Sequence, residues 1–250
     1  MQKKLAIFAA MKKQNNPLIL LLDTATEVCS VALSRGAEIL AVEESHDGNS
    51  HAKRIISFIE RVLKVASVNK NEIDAVALSI GPGSYTGLRI GASTAKGLCY
   101  SLDLPLVTIS TLEIIMTGAR KEALANIDET SDCFFCSMID ARRMEVYCAL
   151  YDSTGAIVED VHSQIIDETS FVDILQDKIV FFCGNGMPKC RALLSKNKNA
   201  RFSDAPISAA NMSEKAFLKY QLGQFENIAY FEPFYLKDFV AAKPVVKGLK

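Results

Sequence analysis

The chain is short of histidine, of long apolar runs and of net charge, and each shortage removes a class of function. Only three histidines occur in 250 residues, His46, His51 and His162, and no two stand one helical turn apart. That leaves neither a paired-histidine metal helix nor a recognisable base–nucleophile spacing. No apolar stretch approaches the roughly 18 residues that cross a bilayer. Lysine and arginine number 28 against 29 acids, for a net charge of −1, so the basic footprint usual in nucleic-acid binders is missing. Neither G-x-x-x-x-G-K-[ST] nor G-x-G-x-x-G occurs.

Cysteine is present but unpatterned. The seven cysteines are odd in number and lie mostly in apolar runs, as expected of reduced, buried thiols. Cys133 and Cys136 form a lone C-x-x-C inside a strand-like run, where residues three apart point to opposite faces. At the N-terminus an apolar core of only Leu5 to Ala10 is followed by lysines, too short for a secretory signal. The expectation is a cytoplasmic protein with a dispensable leader at 1–16 and Met11 as an alternative start.

What is there is a pattern that occurs twice. "LILLLDTA" (18–25), "EVCSVALS" (27–34) and "EILAVEES" (38–45) read as strands, and 50–67 as a helix with Ser50 as its cap. The apolar positions of that helix, 55, 56, 59, 62, 63 and 66, form one wide stripe. A strand at 73–80, a helix of about sixteen residues, a strand at 105–110 and a helix from Thr111 follow. From 133 the order begins again: strands at "CFFCSMID", "MEVYCALYD" and "AIVEDVHSQII", a helix at 168–177, a strand at 178–186 and a helix at 187–196. "LLDTATEVCSVAL" and "MIDARRMEVYCAL" match residue by residue, each closing its first strand on an acid, Asp23 or Asp140. A period repeated once predicts two α/β lobes, each a mixed sheet with strand-strand-strand-helix-strand-helix order. The lobes are expected at 17–120 and 121–240, with a tail at 241–250.

Two features carry candidate chemistry. Gly81-Pro82-Gly83-Ser84 ends a strand and opens a helix, a place where α/β proteins bind anions. No lysine follows to meet a phosphate, and a tight connection with glycine at positive φ explains the residues equally. In the helix behind it, Gly87, Gly91 and Ala95 recur every four residues and leave a stripe without bulk. The backbone that approaches it could be this lobe's own sheet, the helix at 50–67 or a partner subunit.

Two such lobes are the plan of the actin and sugar-kinase ATPases, which would place a nucleotide near Asp23, Asp140, Gly81, Gly83, Gly184 and Gly186. More specifically, "SHAKRIISFIERVL", "GPGSYTGLRIGASTAKGL", "STLE", "IDARRMEVY" and "EPFYLK" resemble the TsaB, or YeaZ, family in order from about 18 to 238. The resemblance implies a non-catalytic subunit that binds and activates TsaD, the transferase that makes N6-threonylcarbamoyladenosine at position 37 of tRNAs reading codons that begin with A. TsaE would join the larger assembly, and tRNA would be met only through it. The docking face is expected on Ile55, Ile59, Tyr85, Gly87, Leu88, Gly91, Ala92 and Ala95, with a homodimer through the same face when TsaD is absent. Gly91→Leu should then block the complex and spare the fold. No metal or cofactor is expected of the chain alone, beyond weak or partner-completed ATP or ADP binding. His51 is expected as a cap or surface residue. Two rivals remain: a stand-alone ATPase or small-molecule kinase built on Asp23 and Asp140, and a glycoprotease-type metallopeptidase.

Overall fold

A computed structural model describes residues 16–47, 51–126 and 133–237. The leader but for Asn16, the Ser50 cap and the tail lie outside the described residues. The first sheet is built from β1 (Leu18–Asp23), β2 (Cys29–Arg35), β3 (Glu38–Ser45), β4 (Ala75–Ser79) and β5 (Leu106–Ile109). Its spatial order is β3-β2-β1-β4-β5. The β1–β2 and β2–β3 pairs are antiparallel, and β1–β4 and β4–β5 are parallel. Helix α1 (His51–Val65) connects β3 to β4, α2 (Tyr85–Leu102) connects β4 to β5, and α3 (Thr111–Asn126) leaves β5.

The second half repeats this plan. Strands β6 (Cys133–Asp140), β7 (Glu145–Asp152), β8 (Ile157–Ile165), β9 (Ile179–Cys183) and β10 (Ala200–Phe202) make the second sheet, with α4 (Val172–Asp177) and α5 (Met187–Leu194) as connections. Read from the antiparallel edge its order is β8-β7-β6-β9-β10, the same as in the first sheet. The two-lobed, duplicated mixed-sheet architecture read from the sequence is therefore the one observed.

The central strands form where they do because their apolar runs are covered on both sides, whereas the edge strands β3 and β8 keep exposed residues. All six residues of β1 are buried. Leu18, Leu20 and Leu22 point into the core shared with Ile55, Phe58 and Val62 of α1, whereas Ile19 and Leu21 point the other way. In α1 the buried stripe is Ile55, Phe58, Ile59, Val62 and Leu63. Ile56, counted into the apolar stripe from spacing, instead lies 51% exposed.

The lobes interlock more than the repeat suggests. Helix α3 runs through the expected boundary at 120, and its Leu112, Ile115, Met116 and Ala119 pack with Phe135, Tyr151 and Phe181 of the second sheet. Residues beyond 203, read as part of the second lobe, return to the first. A 3-10 turn (Ala209–Met212) and α6 (Ser213–Gln221) cover the far face of the first sheet with Ala209, Met212, Ala216 and Tyr220. That face, with Ile19, Leu21, Ala77, Val107 and Ile109, is mainly apolar and needs a cover, and the Ala209 N–H donates to Ser30 Oγ upon it at 2.7 Å. Cys133 and Cys136 do point to opposite sides of β6, into separate cores, and all seven cysteines are free and buried.

Candidate functional site

The glycine loop is filled by the protein itself. Ser84 caps α2, its Oγ accepting the Gly87 N–H at 3.2 Å. Its own N–H donates to the Ala25 carbonyl at 2.6 Å, and Thr24 Oγ1 donates to the Gly87 carbonyl at 2.8 Å. The turn leaving β1 thus lies along the start of the helix. A Cβ on Gly83 would overlap the Ala25 carbonyl oxygen, one on Gly87 the Thr24 carbonyl oxygen, and one on Gly91 Thr24 Oγ1. Gly81, at φ +119°, lets the Phe234 carbonyl approach on the other side.

This corrects the docking expectation. Gly87, Leu88, Gly91, Ala92 and Ala95 are buried against the chain's own β1–β2 turn and first sheet, not offered to a partner. The stripe of missing side chains exists so that α2 can lie on Thr24 and Leu78. Ile59 is likewise internal, at 6% exposure.

The two hairpin acids have diverged. Asp23 is 1% exposed; Oδ1 accepts the Ala25 N–H at 3.0 Å, while Oδ2 is buried without a hydrogen-bond partner. Burial, only partly opposed by that hydrogen bond, pushes its carboxyl above the ordinary range. Asp140 is half-exposed. Burial alone would raise it, but the hydrogen bond from Lys189 Nζ, the Arg142 N–H and their charges outweigh burial and hold it below the ordinary range. Gly184 and Gly186 press on the β6 backbone at Met138 and Ile139, as Gly83 and Gly87 press on the turn after β1. Between the lobes, Asn185 Nδ2 donates to Glu27 Oε2 at 2.6 Å and Asn185 Oδ1 accepts the Asp140 N–H at 3.1 Å. Val28, next to Glu27, is buried among second-lobe side chains. The six candidate nucleotide residues are thus engaged in packing and ion pairing. His51, expected as a cap or surface residue, is buried at the start of α1; its Nε2 lies 2.8 Å from the Thr26 carbonyl and fixes the start of α1 to the same turn.

Asp23→Asn follows as a test of this reading. Asparagine keeps the acceptor for Ala25 and removes the buried charge. A carboxyl that holds its proton more tightly folded than unfolded favours folding at low pH and penalises it as pH rises above about 4. The substitution is therefore expected to stabilise the protein at neutral pH by about 1 kcal/mol, with the gain vanishing toward pH 4. Urea unfolding at both pH values checks it; a loss of stability at neutral pH would contradict it.

The open surface lies beside the filled loop. Between α1 and α2 runs a groove of about 470 Å³. Ala52 and Ile56 form one wall, and Tyr85, Arg89, Ile90 and Ser93 the other. Ile55, 1% exposed, is its floor. Of the eight expected docking residues only Ile55 and Tyr85 belong to it. Ile56 and Ile90 were missed, although each is an apolar residue off its helix's buried stripe, the one signal available. Among the described residues, no three His, Cys, Asp or Glu side chains converge in a way that could hold a metal ion, and no helix is long and apolar enough to cross a membrane.

The chain is similar to known proteins over most of its length. The family model described as "TsaD: tRNA N6-adenosine threonylcarbamoyltransferase" matches residues 45–244. The tRNA threonylcarbamoyladenosine biosynthesis protein TsaB of Haemophilus influenzae is 31% identical over 237 residues, 91% of this chain and 97% of that protein. The Escherichia coli protein of the same name is 30% identical, over 90% of this chain and 96% of that one. A solved structure, YeaZ from Pseudomonas aeruginosa, aligns with a TM-score of 0.71 at 25% identity, covering 88% of this chain and 100% of that one.

Proposed function

Because the chain belongs to the TsaB, or YeaZ, group of the TsaD-type family of tRNA threonylcarbamoyladenosine proteins, we propose that it is a non-catalytic subunit that binds and activates a TsaD homologue. The reaction served is threonylcarbamoyl transfer to N6 of adenosine 37 in tRNAs reading codons that begin with A. The carrying observation is the contrast within one helix. The face of α2 that could have cradled phosphate is packed on the chain's own turn, while its neighbour is an open, mainly apolar groove.

An apolar surface of this kind calls for a partner. The TsaD homologue docks there, and in its absence a second copy of the chain takes the same place. A TsaE homologue joins the assembled pair, and tRNA is reached through the complex. The filled glycine loops and the Lys189–Asp140 pair favour this reading over a stand-alone kinase, since a phosphate would have to displace backbone contacts from both hairpins. Any nucleotide bound would be held weakly or with the partner's help.

Reconstitution tests the proposal. TsaD homologue, threonylcarbamoyl-adenylate and substrate tRNA are expected to yield modified adenosine only when this chain is added, and the chain alone to yield none. ATP turnover by the chain alone, lost in Asp23→Ala, would support the kinase reading instead.

A further inference from the structure

The segment that follows α6 ends in a strap laid across the head of α2. Phe231 is buried in the first core, and its carbonyl accepts from Lys96 Nζ at 3.1 Å. The Phe234 N–H donates to the Ile80 carbonyl at 2.8 Å, and its carbonyl sits where Gly81 lacks a side chain. Beyond it, Lys237 pairs with Glu145 at the start of β7, so the strap is tied to both lobes. These contacts deliver Tyr235 to the groove. Its ring lies 5.0 Å from that of Tyr85, tilted by 42°. The Arg89 guanidinium lies 4.1 Å over the Tyr85 ring. Tyr85 and Arg89 are both groove-lining residues.

We propose that Tyr235 is a positioning residue of the docking groove, holding Tyr85 and Arg89 in the arrangement that the TsaD homologue reads. This inference rests on the docking function proposed above. An arginine side chain is long and free to adopt many rotamers, and ordering it on binding costs entropy. Here the cost is met in the free protein: Tyr85 supplies an aromatic face under the guanidinium, and Tyr235 supplies a second ring that holds Tyr85 in place. Gly81 has a second use in this arrangement, because a side chain there would push the Phe234 carbonyl, and Tyr235 with it, off the helix. Phe234, 42% exposed, brings the strap's own apolar surface alongside.

The test is a double-mutant cycle on binding to the purified TsaD homologue, read beside each variant's melting temperature. Tyr235→Ala and Arg89→Ala are each expected to weaken binding about tenfold with little change in melting. The double variant should lose less than the two single losses combined, because part of the Tyr235 effect passes through Arg89. Tyr235→Phe, which keeps the ring and the strap, should recover most of the affinity. Wild-type affinity in Tyr235→Ala, or losses that simply add in the double variant, would overturn the inference. Should Tyr235→Ala melt early, Tyr235→Leu decides: it keeps the strap's apolar bulk but not the ring, and wild-type affinity in it would overturn the inference. Failure of the wild-type chain to bind the TsaD homologue at all would instead contradict the docking function itself.

Discussion

Gly91→Leu is expected to cost the protein about 3 kcal/mol or more of stability, lowering its melting temperature by roughly 10 °C. Even the first atom of a side chain at Gly91 would overlap Thr24 Oγ1 and lie 3.0 Å from Leu78 Cδ1. Thr24 cannot step aside, since its hydroxyl donates to the Gly87 carbonyl and its own carbonyl faces Gly87. The side chain would therefore have to lift α2 off β1, opening the core around Leu20, Leu22 and Val76. Gly97 supplies the internal control. It lies in the same helix, six residues on, exposed and with nothing within 4 Å of the position a Cβ would take. Gly97→Ala should be neutral or stabilising by up to about 1 kcal/mol, the helix-propensity difference. Thermal unfolding of both variants checks the pair. Wild-type melting in Gly91→Leu with loss of partner binding would restore the partner-facing stripe expected from the sequence.

Ile56→Glu is expected to do the opposite: leave melting within about 1 °C of wild type and weaken binding to the TsaD homologue by about 30-fold or more. Ile56 is half exposed on α1, so the glutamate head stays in water in the free protein and the helix loses little. In the complex the same carboxylate would lose its water at a cost that Arg89, across the groove, would only partly offset. Association measured by titration calorimetry or sedimentation velocity reads the effect. The homodimer proposed for the same face should be lost in the same variant. Unchanged association would place docking elsewhere.

The architecture was legible because it is periodic. Alternation and apolar runs marked β1 to β9, and the paired acids Asp23 and Asp140 exposed the duplication. Strand β10 and helix α6 were not read: ARF is three residues long, and SEKAFLKYQ buries only Ser213, Ala216 and Tyr220. Their places are set by the sheet edges and faces they cover, which no local pattern states. The close packing on α2 was legible in place but not in direction. Glycines every four residues announce that a backbone comes close to α2; they do not say whose. The answer lay 60 residues away, in a Thr24-Ala25 turn with no unusual composition. The same blindness moved Ile56 into the core by spacing alone, when Phe58 takes the buried position. It also left His51 as a cap or surface residue, although a turn carbonyl 25 residues upstream holds it inside. Local periodicity reports which residues share a face, whereas tertiary closure decides which face meets the protein and which meets water.

Hydroxyl-radical labelling of side chains, with and without the TsaD homologue, tests the docking face most directly. Bound chain is expected to show Ile56, Tyr85, Ile90 and Phe234 protected, while Ile157, Val158 and Ile165 on the exposed strand β8 stay as reactive as in the free protein. Protection of the β8 residues with Ile56 and Ile90 unchanged would contradict the account.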